Sequence, residues 1–207
     1  MKRCFDIFVA STGLLICCPI LLFVAAVIKM GNDGPILFCQ ERVGKDFKPF
    51  KVLKFRTMRT NAEVNGGRIT IEGDPRITYV GRWLRTTKLD ELPQLWNVLR
   101  GEMSIVGPRP EVAEYVDLYR EEYREILSVR PGITDTSSIV FRKESELLAT
   151  AEDPKREYIN VILPQKIKLS SDYIQRRSTL GDICLLWQTA WVICFPNNNS
   201  KSKEMAA

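Results

Sequence analysis

Asp90 and Glu91 stand side by side within a stretch, Arg82 to Glu111, that also carries Arg85, Lys88 and Arg109. A carboxylate beside a second carboxylate, with arginines close in sequence, can do two kinds of chemistry. One acid can attack an electrophilic phosphorus or carbon, and the other can hold a hard cation such as Mg2+, which prefers carboxylate and phosphate oxygens. Arginine grips phosphate through a bidentate fork. The ordinary alternative is that the two acids cap a helix and meet its dipole, worth about 0.3–1 kcal/mol. A helix N-terminus at Pro93 predicts a depressed pKa for Asp90, and so an ionised carboxylate ready to attack.

The elements that must position these residues are legible from periodicity and turn residues. Ile36–Gln40 and Phe50–Phe55 read as two strands of a hairpin, with Lys54 and Arg56 alternating with Phe55 as on a half-buried strand. Residues 58–74 are polar and Gly-rich, the signature of a loop. Tyr79–Arg85 and Leu92–Leu99 read as helices; Pro93 opens the second and Gly101 closes it, with Gln94 in its first turn. Arg109 lies between two prolines, Pro108 and Pro110, a rigid turn that presents its side chain. Glu111–Ser128 reads as one amphipathic helix on Val112, Tyr115, Val116, Tyr119, Tyr123, Ile126 and Leu127. Glu144–Ala151 and Lys155–Leu169 read as helices, the latter broken at Pro164. Thr179–Phe195 carries Trp187, Trp191 and Phe195 at four-residue spacing, a stripe that by default is core and beside a membrane segment can lie in the lipid interface.

Cys4–Met30 is almost uninterruptedly apolar, with Lys2 and Arg3 before it, Lys29 near its end and Pro19 at its centre. About 20 apolar residues span a bilayer. The mid-segment proline and basic flanks on both sides favour a helix-break-helix that enters and leaves on one face. A simple spanning anchor, a cleaved signal peptide and a buried soluble helix are the alternatives. The 207 residues then divide into an anchor (1–30), a catalytic domain (31–196) and a polar tail expected to be disordered (197–207). The net charge of +5 suits a membrane surface or phosphorylated substrates. No dense basic block or base-stacking aromatic pattern points to nucleic acid. The chain has no histidine, and its six cysteines form no CxxC pair, which leaves carboxylates, Lys, Arg or a hard metal for catalysis.

The motifs KRCFDIFVAS, PILFCQERVGKDFKPFKVLKFRTM, RWLRTTKLDELPQLWNVLRGEMSIVGPRPE and SVRPGIT occur in that order, and Cys18-Pro19 breaks the apolar segment. In these the chain resembles the bacterial sugar transferases, the small monotopic phosphoglycosyl transferases that act on polyprenyl phosphate. The likeness is close over residues 2–135 and looser beyond. It implies that Asp90 attacks a UDP-sugar, UMP leaves, and polyprenyl (undecaprenyl) phosphate takes the phosphosugar from the enzyme. It further implies Mg2+ held partly by Glu91, and contacts to phosphate or nucleotide from Lys54, Arg56, Arg85, Gln94 and Arg109. Asp182, in STLGDICLL, matches the acidic residue of the family's C-terminal helix. The family's anchor is re-entrant, commonly broken at Ser-Pro where this chain has Cys18-Pro19. After Gly132 the chain reads ITDTSSIVFRKESELLATAEDP where many members read Gly-Leu-x-Gln, which leaves the sugar open; hydroxyls from Thr134 to Ser138 are candidates to meet it.

The expected fold is thus a mostly helical α/β monotopic membrane protein with a re-entrant anchor, a small hairpin and amphipathic interface helices. The expected place is the cytoplasmic face of the bacterial inner membrane, in contact with lipid and without nucleic acid. The amphipathic helices offer a surface for a homodimer. The rival reading is a non-catalytic membrane-anchored scaffold of a glycan-assembly complex; a one-step transferase without a covalent intermediate is a second.

Overall fold

A computed structural model describes residues 2–31, 34–60 and 69–195. Part of the turn cluster at 31–35, part of the loop at 58–74 and the polar tail at 197–207 therefore lie outside the described residues. The chain is mostly helical with two small sheets and one long apolar N-terminal helix.

That helix, α1 (Lys2–Gly31), runs through Pro19. Proline removes one backbone hydrogen bond there without ending the helix, so the expected helix-break-helix is continuous in its secondary structure. Both of its ends pack one side against the rest of the chain, and its middle packs less. Asp6 and Ala10 are buried near the start, Val24 and Ile28 near the end, and Leu15 and Ile16 between them are 78% and 69% exposed. Ala10 packs with Val52, Val98, Met103, Ile105 and Val106, while Val24 and Ile28 pack with Phe55 and Leu84.

The expected hairpin forms from β1 (Leu37–Val43) and β2 (Pro49–Phe55), antiparallel with Phe38 opposite Lys54. Helix α2 (Tyr79–Thr87) is capped by Thr78, whose hydroxyl accepts from Gly81 N, and it stops at Lys88 in the left-handed region (φ 59°). The chain then makes a 3-10 turn, Leu89–Glu91, before α3 (Gln94–Arg100), which Gly101 closes at φ 83°. Glycine reaches that conformation without the steric cost of a Cβ.

Strand β3 (Ser104–Val106) pairs in parallel with β4 (Gly132–Thr134). This second pair is not apparent from the sequence, because three residues after Pro131 carry no alternation to read. The two strands approach at glycines: a Cβ on Gly132 would lie 2.2 Å from Gly107 N and 2.3 Å from its carbonyl oxygen.

The amphipathic stretch after Pro110 is two helices, α4 (Ala113–Leu118) and α5 (Arg120–Ile126), not one. Tyr119 leaves the helical region (φ −126°, ψ 44°), and its hydroxyl donates to Ile159 O at 3.0 Å. The apolar positions still converge: Val112, Tyr115, Val116, Tyr123, Ile126 and Leu127 form the largest core cluster with residues of the later helices. These are α6 (Thr136–Val140), α7 (Glu144–Ala149), α8 (Pro154–Glu157) and α9 (Leu163–Arg176). Pro164 is accommodated at the start of α9, directly after a π-helical turn, Tyr158–Ile162. Wider i to i+5 bonding absorbs the missing N–H without stopping the chain's helical path.

The last helix, α10 (Thr179–Cys194), overturns the default reading of its aromatic stripe as core: Trp187 is 71% exposed, and Trp191 and Phe195 are about half exposed. Its other side packs on β3 and β4 through Leu185, Leu186 and Thr189, whose hydroxyl lies 2.7 Å from that of Thr134.

The glycine contact between β3 and β4 has no room to relax, since the opposing atoms are backbone. Gly132→Ala is expected to cost about 2–3 kcal/mol, lowering the melting temperature by about 5–10 °C. A variant that melts within 2 °C of the parent on thermal unfolding contradicts this reading of the crossing.

Candidate active site

Three elements converge on Glu91. Lys54, on β2, donates to Glu91 Oε1 at 2.8 Å. Arg109, in the turn after β3, sends Nη1 to Oε2 at 3.2 Å and Nη2 to Oε1. Asn97 on α3 fixes the strand that brings Lys54: its Oδ1 accepts from Leu53 N at 3.0 Å, and its Nδ2 donates to Lys51 O at 2.8 Å and to Glu102 at 2.7 Å. Asp135 fixes the turn that brings Arg109. It caps α6 by accepting from Ser138 N at 2.8 Å, and it also accepts from Arg109 N at 3.3 Å.

Asp90 is set differently. It is 7% exposed and its Oδ1 has no hydrogen-bond partner. Nor does it cap α3, whose N-cap is Pro93, with no side-chain cap. The capping reading of the acid pair therefore does not describe this turn. A buried polar atom without a partner costs about 1–3 kcal/mol, and such atoms mark places that a ligand completes. Gln94 Nε2 and Arg142 Nη1 are likewise buried and unpartnered. Gln94 is 2% exposed, so it does not lie on the surface of α3. Arg142, at the α6–α7 junction, is a candidate that the sequence reading missed; only burial in the folded chain distinguishes it from its basic neighbours.

The electrostatics separate the two acids. Burial, then the adjacent Glu91, raises the Asp90 pKa above the ordinary carboxylate value; Lys54, Lys88 and Arg85 oppose this. The expected depression by a helix N-terminus is thus corrected in sign. Burial also pushes Glu91 up, but the charges of Arg109 and Lys54 outweigh it and hold Glu91 well below the usual range. Burial lowers the Lys54 pKa, with Glu91 opposing. Glu91 raises that of Arg109.

Of the other expected residues, Arg85 belongs to this neighbourhood. Its Nε donates to Thr57 Oγ1 at 2.9 Å, and its charge acts on Asp90. Arg56 does not join the acids; its Nε donates to Pro35 O at 2.7 Å. Asp182 is also elsewhere: it is buried, pairs with Lys2, and accepts from Tyr173 OH at 2.7 Å. The hydroxyls at 134–138 are largely committed: Thr134 faces Thr189, and Ser137 and Ser138 both donate to Asp135.

Glu91 Oε2, which takes a single hydrogen bond at 3.2 Å, has room for a hard cation. One carboxylate fits Mg2+ where substrate phosphates supply further ligands. Among the described residues no cluster of three or more metal-ligating side chains occurs.

The opposed shifts make opposed stability predictions. A depressed folded pKa gives stability that is present above the unfolded value of about 4.5 and is lost as pH falls through the lower folded value. A raised folded pKa gives a penalty that grows as pH rises from about 3.8 through the folded value. At neutral pH, Glu91→Gln is expected to destabilise by about 2–4 kcal/mol, because it leaves Lys54 and Arg109 uncompensated. Asp90→Asn is expected to melt at or above the parent temperature. Equal destabilisation by both variants in a thermal melt contradicts the division of roles.

The sequence profile of the bacterial sugar transferase family matches residues 1–196. An exopolysaccharide production protein, PSS, of Rhizobium leguminosarum bv. phaseoli is 50% identical over 141 residues, covering 65% of this chain and 70% of that protein. ExoY of Rhizobium meliloti (strain 1021), also an exopolysaccharide production protein, is 34% identical, covering 93% of this chain and 85% of that one. The UDP-glucose:undecaprenyl-phosphate glucose-1-phosphate transferase of Escherichia coli (strain K12) is 37% identical across 92% of this chain, which spans only 39% of that longer protein. Matched along nearly its whole length, the chain belongs to the bacterial sugar transferase family.

Proposed function

We propose that the protein transfers a sugar-1-phosphate from a UDP-sugar to polyprenyl (undecaprenyl) phosphate, with Asp90 as nucleophile. The observation that carries this is the unpartnered Asp90 Oδ1, buried beside a Glu91 already held by Lys54 and Arg109. Relatives named as undecaprenyl-phosphate sugar phosphotransferases support the substrate class.

In the first step Asp90 Oδ1 gives an electron pair to the β-phosphorus of the UDP-sugar. The bond from that phosphorus to the bridging oxygen breaks, and UMP leaves with the bonding pair. A phosphate oxygen of the polyprenyl phosphate then attacks the same phosphorus. The bond to Oδ1 breaks, releasing polyprenyl diphosphate-sugar and restoring the carboxylate. Splitting one displacement into two is the general advantage of covalent catalysis. Arg109, Lys54 and Arg85 supply positive charge for the phosphates, and Gln94 Nε2 supplies a free donor. Mg2+, held partly by Glu91 with the diphosphate, would neutralise charge on the leaving group.

The geometry of α1 supports a re-entrant seat in the cytoplasmic leaflet. Thirty helical residues measure about 45 Å, against about 30 Å for the bilayer core. A crossing helix would carry one end away from the catalytic body, yet α1 packs one side of both its ends against that body, through Asp6 and Ala10 and through Val24 and Ile28. The exposed aromatics of α10, with Trp83 and Trp96 half exposed, fit the lipid interface.

Incubated in detergent with Mg2+, undecaprenyl phosphate and a panel of UDP-sugars, the protein is expected to release UMP from at least one donor, and Asp90→Asn to release none. Because the nucleophile must be ionised, the acid limb of the rate is expected above the ordinary Asp value of about 3.8. No release from any donor by folded protein favours a scaffold. Release without exchange of labelled UMP into the donor favours direct transfer. Tags placed before Lys2 and within 31–35 are both expected to be accessible from the cytoplasmic side of the membrane; access to only one contradicts the re-entrant seat.

A further inference from the structure

The start of the membrane helix is bonded to the strand that leads to the phosphate-binding arginine. Asp6, one turn into α1, is 3% exposed. Its oxygens accept from Ser104 Oγ at 2.9 and 3.0 Å, and Oδ1 also accepts from Ile105 N at 3.0 Å. Lys2 Nζ donates to Val106 O at 2.9 Å and pairs with Asp182 on α10. Each of the three residues of β3 thus has a polar group held by the first turn and a half of α1. A carboxylate in an apolar helix is expensive to bury, and this one is used where an apolar helix residue would leave Ile105 N–H and Ser104 Oγ unpaired.

From β3 the path to the site is short and stiff. Gly107 N donates to Thr134 O at 3.1 Å, and Gly132 N donates to Pro108 O at 2.9 Å. Pro108 and Pro110 flank Arg109, whose guanidinium reaches Glu91. The crossing at Gly107 and Gly132 has no slack, as the Cβ distances above indicate. A shift of β3 is therefore carried to Arg109 rather than absorbed on the way.

We propose that Asp6 is a positioning residue for the transfer reaction: it couples the seat of α1 in the membrane to the placement of Arg109 at the acid pair. The proposal rests on the function proposed above. Asp6 touches no substrate, so its effect passes through Arg109.

The test is a double-mutant cycle on the full chain in lipid nanodiscs, reading UMP release with undecaprenyl phosphate, together with hydrogen exchange at residues 104–111. Asp6→Ala is expected to lower kcat by about 10–100-fold, and Asp6→Asn, which keeps one accepting oxygen, to recover part of that loss. In an Arg109→Ala background, Asp6→Ala is expected to change the rate by about 2-fold or less. Exchange at Ile105 and through 107–109 is expected to speed up in Asp6→Ala while 94–100 on α3 stays protected. Equal loss in both backgrounds overturns the proposal, because Asp6 then acts through general stability. Unchanged exchange at 105–109 also overturns it, whatever the rate. If the parent protein releases no UMP, the transferase reading has failed, and the exchange data alone decide whether Asp6 holds the Arg109 turn.

Discussion

Glu91 is the point at which three otherwise separate pieces of chain are tied by charge. Lys54 arrives on a strand, Arg109 on a proline-flanked turn, and Glu91 itself on a 3-10 turn between two helices. Each of these three charges is partly withdrawn from water, so losing a partner is costly, most of all for Glu91. Together they neutralise one another, and they leave Asp90, the adjacent residue, buried with a free oxygen. The pairing thus does two things with one set of contacts. It fixes the relative placement of Glu91, Lys54 and Arg109, and it sends the two neighbouring carboxylates in opposite protonation directions, the pattern that separates a reacting acid from a supporting one.

The rest of the fold holds that arrangement in place. The hairpin and α3 are joined by Asn97, the crossing of β3 and β4 by glycines, and the entry to α6 by Asp135. The apolar surface is divided between a core under α4, α5 and α9 and a bare face formed by the middle of α1 and the aromatics of α10. The main core and the exposed apolar face are thus on different elements, and the acid pair lies on the segment between α2 and α3.

Much of this was legible in the residues. The hairpin followed from alternation around Lys54, the end of α3 from Gly101, and the acid pair with Arg109 from residue type and spacing. What was not legible depends on contacts distant in sequence. The partners of Asp6 lie 98 and 99 residues away. The pair β3–β4 is too short to show a period. The Asp90 pKa changes sign because tertiary burial outweighs the local helix effect. Tyr119 splits an apolar pattern that by period alone reads as one helix. The α10 stripe has the same pattern as a core helix, and only its exposure assigns it to the other face. Arg142 looks like any basic residue until its Nη1 is found enclosed without an acceptor.

The central claim, that Asp90 carries the phosphosugar between donor and acceptor, is tested most directly by intact-mass spectrometry of the protein. The measurement is made after incubation with Mg2+ and an accepted UDP-sugar in the absence of lipid. The account predicts a mass increase equal to one sugar phosphate, localised to the peptide containing Asp90 and removed on adding polyprenyl phosphate. An enzyme that turns over with lipid yet never gains that mass, or gains it on another residue, would contradict the account.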